Sequence, residues 1–117
     1  MKCKKGMEES YFIQLMGSSP MSKVLDFLLT FREYDYSLTE ISENSGVAWS
    51  TLHQLIPKLK ILDIIKQTRK IGRATLYKLN EKNSIVKQLI EMEAEIIKEI
   101  SKKATEKEVH KILAKNK

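Results

Sequence analysis

The chain has 117 residues, 42% of them apolar, which suits one compact domain with an appendage and argues against wholesale disorder. The net charge is +6, and the single cysteine, Cys3, excludes an internal disulfide or a cysteine-rich zinc site. The N-terminal lysines have no apolar h-region behind them and no run approaches the roughly 18–20 apolar residues that span a bilayer, so a cytoplasmic protein without a membrane partner is expected.

Residues 1–18 form an N-terminal segment, polar at first, then short and apolar from Tyr11 to Met16; that stretch reads equally as a strand or a helical lead-in. Gly17-Ser18-Ser19-Pro20 ends it, with Ser19 placed to cap a helix and Pro20 at the first helical position, where its missing N–H costs nothing. In that helix Val24, Leu28 and Phe31 form one stripe, widened by Leu25 and Phe27. Tyr34-Asp35-Tyr36 follows as a brief extended segment. Ser37-Leu38-Thr39-Glu40 has capping-box spacing, with Thr39 as the rival cap, and Gly46 ends the short helix that follows.

A third helix opens near Ala48, and Leu52, Leu55, Leu59 and Leu62 recur on one face, directed at the core. Pro57 inside it removes a hydrogen bond at a cost of about 3 kcal/mol. The leucine phase runs unbroken from Leu55 to Leu59, which favours a kink over a break at Ile56. Two β-leaning segments, residues 64–69 and 74–79, flank Lys70-Ile71-Gly72-Arg73 and predict a hairpin turning at Gly72. Asn83 or Ser84 caps a last long helix whose seam is Val86, Leu89, Ile90, Ile96, Ile97 and Ile100, interrupted by Glu93. Val109, Ile112 and Leu113 keep helical spacing towards the end. The expected fold is mainly α with a small β-hairpin (α+β), the order of a winged helix-turn-helix domain over residues 19–80 followed by a helical segment over 81–117.

Charge concentrates in the predicted helix and hairpin. Residues 46–80 carry seven bases against one acid, Asp63, a surplus equal to the net charge of the whole chain. Opposite the leucine face lie Ser50, His53, Gln54, Pro57 and Ile61, bordered by Trp49 and Lys60 on one side and Thr51 and Lys58 on the other. The N-terminal turns of a DNA-reading helix enter the major groove, which assigns Trp49, Ser50, His53 and Gln54 to base edges. Gln54 suits a bidentate pair with adenine, worth about 1–3 kcal/mol of discrimination. Thr51 and Lys58 fall where the phosphate backbone passes. Trp49 has a competing reading, folded back onto the core. At the hairpin Arg69, Lys70 and Arg73 surround Gly72 with no acid near in sequence, a set suited to the minor groove or its flanking phosphates.

Three stretches, Leu38-Thr39-Glu40-Ile41-Ser42-Glu43-Asn44-Ser45-Gly46-Val47, Ser50-Thr51-Leu52-His53-Gln54-Leu55-Ile56-Pro57-Lys58-Leu59 and Leu62-Asp63-Ile64-Ile65, make residues 20–79 resemble the prokaryotic winged helix-turn-helix regulators of ArsR-like and MarR-like type. The resemblance implies a homodimer on a pseudo-palindromic double-stranded DNA site, controlling transcription, usually by repression. The sequence departs from the pattern in three places. Ala48 replaces the usual Ser or Thr cap, Asp63 stands where a Gly is usual before the wing, and Pro57 is atypical. The metal-sensing branch of the ArsR-like group uses clustered cysteines or histidines; Cys3, His53 and His110 lie far apart, so no metal or other cofactor is expected.

A lone helix bearing six branched aliphatics leaves apolar surface worth roughly 1.5–3 kcal/mol per side chain when fully buried. Part suits the chain's own first long helix. The remainder suits a two-fold partner through residues 84–101, which would set two recognition helices about 34–36 Å apart. No Gly-rich phosphate loop, nucleophile elbow, HExxH or zinc spacing is present, so no enzymatic activity is expected. No residue points to a small-molecule effector. The alternative to a DNA-binding regulator is a winged helix serving as a protein-interaction module in a larger nucleoprotein assembly.

Overall fold

The computed structural model describes residues 10–115, with side chains described as far as Lys103. Cys3 and the side chains of Val109, His110, Ile112 and Leu113 therefore lie outside the described residues. The elements run α1 (Tyr11–Met16), α2 (Pro20–Thr30), β1 (Tyr36–Ser37), α3 (Leu38–Ser45), α4 (Trp49–Ile61), β2 (Ile65–Ile71), β3 (Ala74–Leu79) and α5 (Ser84–Lys115). The three strands form one antiparallel sheet in the order β1-β3-β2. Mainly α with a small antiparallel sheet, this is the expected winged helix with a long C-terminal helix.

Local chemistry accounts for most boundaries. The stretch left open as strand or helix is helical, because the Ser10 hydroxyl accepts from the Ile13 N–H and Gly17 ends the turn at φ 96°. Ser19 caps α2 through the Ser22 N–H, with Pro20 in the first turn. At α3 the capping box forms on Ser37, not Thr39. Its hydroxyl accepts from the Glu40 N–H at 3.2 Å, and the Glu40 carboxylate accepts from the Ser37 N–H at 2.9 Å. Gly46 takes the left-handed conformation (φ 76°) that ends α3, and the Ser42 hydroxyl donates to the Val47 carbonyl at 2.6 Å across the turn. That bond joins the two ends of the helix-turn-helix corner.

α4 continues through Pro57, so the break considered at Ile56 does not occur. Leu52, Leu55 and Leu59 are buried as expected, and Ile56 joins them. Leu62 does not: it is the C-cap residue and 52% exposed. The helix ends one residue earlier, and Asp63 then turns the chain in the left-handed region (φ 56°). Ile64 and Ile65 enter the core in its place.

One core draws on every helix. Phe12 and Ile13 of α1, Val24, Phe27, Leu28 and Leu29 of α2, Ile41 of α3, the α4 face, Leu79 of β3 and Val86 of α5 belong to a single buried cluster. Val86 was expected in a dimer seam; it is fully buried inside its own chain because the start of α5 folds back on the domain. Leu89, Ile90, Met92 and Ile96 also pack against this core, half-buried. Asparagines fix where α5 begins. The Asn83 Oδ1 accepts from the N–H groups of Ile85 (2.7 Å) and Val86 (3.2 Å), while its Nδ2 donates to the Leu62 carbonyl at 2.8 Å. The Asn80 Nδ2 donates to the Asp63 carbonyl at 3.1 Å. The end of α4 and the start of α5 thus satisfy each other's unpaired backbone groups.

Candidate nucleic-acid interface

The N-terminus of α4 is open. Ala48 offers no side-chain cap, no acid lies in the first turn, and the N–H groups there carry the positive end of the helix dipole. Ser50, His53, Gln54, Pro57 and Lys58 are exposed, with Thr51 half-buried at the margin. Trp49 does not fold onto the core. It is 48% exposed, and its ring meets that of His53 edge-on with centroids 4.3 Å apart at 71°. The pair limits the rotamers of both rings and presents them as one unit beside Gln54. Lys60 is turned elsewhere, its Nζ 5.2 Å from the centre of the Tyr77 ring.

The wing differs from expectation in two respects. β2 extends to Ile71, so the connection shortens to Gly72-Arg73, with Gly72 at φ 62° where hairpin twist calls for a positive value. Lys70 therefore lies in the strand opposite Thr75, and Arg73 alone of the three cations is at the turn. The second difference concerns Arg69, expected to have no acid nearby. Its Nε donates to Asp35 Oδ2 at 2.9 Å and a terminal nitrogen donates to Oδ1 at 3.1 Å. Asp35 is remote in sequence; the pairing of β1 with β3 carries it to the sheet, and a bulge between Gln67 and Arg69 aims β2 at it. Thr68, in the bulge, donates to the same carboxylate and also lies 3.3 Å from the Leu76 carbonyl. Hydrogen bonding from Arg69 holds the Asp35 carboxyl down to about 2, so it is ionised under ordinary conditions. Among the described residues, the expected contact cations Lys58, Lys70 and Arg73 form no ion pair, nor does the exposed Lys66 of β2.

The expected dimer residues separate by position. Val86 is internal, and Leu89, Ile90 and Ile96 are partly covered by their own domain. Ile97 remains 52% exposed, and Ile100 borders a groove of about 440 Å³ between α1 and α5, alongside Tyr11, Leu15 and Met92. Glu93, expected to interrupt a seam, meets Arg32, in the turn after α2, at 3.3 Å. Desolvation beside the core raises its carboxyl above the ordinary range, and the Arg32 guanidinium only partly offsets this. Sequence reading missed Asp35, Arg32 and the exposed α1 face. Their roles depend on neighbours dozens of residues away, and no local pattern marks them.

No protein-family model matches the sequence, and no curated protein sequence matches it. Solved structures do match. A double mutant of Lactococcus lactis ZitR in its apo form aligns at 18% identity over 88% of this chain and 82% of that one, with a TM-score of 0.61. MepR, a transcription regulator of the Staphylococcus aureus multidrug efflux pump MepA, aligns at 16% identity over 89% and 77% of the two chains, with a TM-score of 0.60. The adhesin competence repressor AdcR of Streptococcus pyogenes aligns at 12% identity over 80% and 69%, with a TM-score of 0.57. The chain shares the fold of these three structures, a winged helix-turn-helix.

Proposed function

We propose that this protein is a sequence-specific, double-stranded-DNA-binding transcriptional regulator, acting as a homodimer and as a repressor. The observation that carries the reading is the uncapped, acid-free start of α4, with Trp49, Ser50, His53 and Gln54 exposed on it, together with the unpaired cations Lys70 and Arg73 of the wing. Open N–H groups and Thr51 suit phosphate oxygens, and Lys58 adds charge beside them. Gln54 and the Trp49–His53 pair suit base edges. The regulators sharing the fold support the same reading, and repression follows the repressor among them.

The dimer face moves from the expected seam to the edge between α1 and the later turns of α5. Leu15 is 63% exposed and lines the apolar groove, and Ile97, 52% exposed, lines the adjoining recess with Tyr11 and Ile96. Two copies meeting there cover surface that water otherwise wets, about 1.5–3 kcal/mol for each side chain fully buried. Sedimentation at micromolar concentration should give a dimer that Leu15→Asp with Ile97→Asp converts to monomer; a monomeric parent would remove the dimer from the proposal.

Selection from a random duplex pool tests the function. Lys58, Lys70 and Arg73 of each protomer, each on one phosphate, make six contacts per dimer, so the log–log salt slope should be about −5. A pool yielding no enriched sequence and no salt-dependent binding would leave the alternative, a protein-docking winged helix. Exposed Ile61 and Leu62 at the end of α4 favour that second reading.

A further inference from the structure

The wing has little core of its own. In β2 only Ile65 is buried, and every residue from Lys66 to the turn is exposed. β3 is buried at Leu76, Tyr77 and Leu79 and pairs with β1 there, but beyond Leu76 the wing is a two-stranded ribbon, which is marginally stable in water by itself and gains a fixed direction from an anchor. The anchor lies at the bulge, where the buried part of β3 ends and the exposed ribbon begins. There one carboxylate takes two bonds from Arg69 and one from Thr68. Asp35 is rooted beside β1, whose Tyr36 pairs with Tyr77 of β3 and bonds through its hydroxyl to the Phe31 carbonyl at the end of α2. The carboxylate side is well covered, at 15% exposure, whereas Arg69 reaches in from a side chain that is 60% exposed.

We propose that Asp35 is a positioning residue that tethers the wing to the helical body, and that Arg69 is held as its internal counter-ion instead of contacting a phosphate. The consequence for nucleic acid rests on the DNA-binding reading above. Lys70 and Arg73 then act from a fixed platform, and Asp35 places no net charge beside the duplex because Arg69 neutralises it. Both carboxylate oxygens are engaged at once, and the bulge residue joins them. This geometry constrains direction more than an ordinary surface pair does.

The test uses the full chain and two readouts. In nuclear magnetic resonance the Arg69 Nε–H should give a protected signal at neutral pH. It should vanish in Asp35→Asn, with backbone signals of residues 66–76 shifting while those of α2 and α4 stay put. An unprotected Nε–H in the parent, or an unmoved wing in Asp35→Asn, overturns the tether whether or not the chain binds DNA. The second readout is affinity for random-sequence duplex. Asp35→Asn and Arg69→Ala should each weaken binding by a similar factor, about threefold to tenfold. The double variant should be no worse than either single one, and the salt slope should be unchanged. If Arg69 contacts phosphate instead, Arg69→Ala lowers the slope by about 0.9 per protomer and Asp35→Asn tightens binding; either result overturns the proposal. Should the parent bind no duplex, the functional reading fails and the resonance result alone decides the tether.

Discussion

Asp63 links the recognition helix to the wing at φ 56°, the single non-glycine residue with positive φ among those described. A Cβ in this region crowds the following carbonyl at a cost of roughly 1–2 kcal/mol, less for Asp than for most residues. The carboxylate offers nothing in return, since it forms no hydrogen bond or ion pair among the described residues; the bond at this position is accepted by the backbone carbonyl, from Asn80. Asp63→Gly removes the strain but adds about 0.5–1 kcal/mol of unfolded-chain entropy. With the strain at Asp near the low end of that range, the net expectation is stabilisation by up to about 0.5 kcal/mol. At an unfolding entropy of about 2.1 cal/mol/K per residue, that raises Tm by up to about 2 °C. Asp63→Asn, which keeps the shape and removes the charge, should lie near the parent. Asp63→Val, β-branched at positive φ, should fall well below it. Calorimetry on the three variants checks the order. If Gly destabilises, or Val matches the parent, the turn is not strained as described.

Removing the Asn83 side chain takes away the cap of α5 and a donor to the Leu62 carbonyl together, so Asn83→Ala should cost about 1–2 kcal/mol in chemical denaturation. Glu93 is less readily ionised in the folded chain than in the unfolded one, so its charge disfavours folding above its raised pKa and that penalty fades as pH falls through it. Glu93→Gln should therefore be neutral or stabilising near pH 7, with the advantage shrinking toward the carboxylate range in pH-dependent melts. Asp35 runs the other way. Its stabilisation is complete above its ordinary value of 3.8 and is lost as pH falls toward about 2, so wing signals in a titration of the folded chain should hold well below pH 3.8 and move only as pH approaches about 2. Gln54→Ala should blur sequence preference, and Lys70→Ala with Arg73→Ala should weaken binding to all duplexes alike, as read by competition against random DNA.

The positions of the helices after α1 were legible in the sequence because the signals are local. Ser19-Pro20, the Ser37–Glu40 box, Gly46 and Gly72 act through their own backbone within a few residues, and a leucine repeat declares its face by spacing alone. The exposed set on α4 followed from the same angular arithmetic. The fate of individual charges and aliphatics was decided by tertiary structure. Whether Arg69 is free depends on Asp35, which strand pairing delivers from the far side of the sheet. Whether Val86 or Ile97 faces a partner depends on which turns of α5 the domain already covers. Local conformation is settled by groups that share a short stretch of backbone, whereas burial and ion pairing are settled by whichever distant groups the folded chain brings within contact distance.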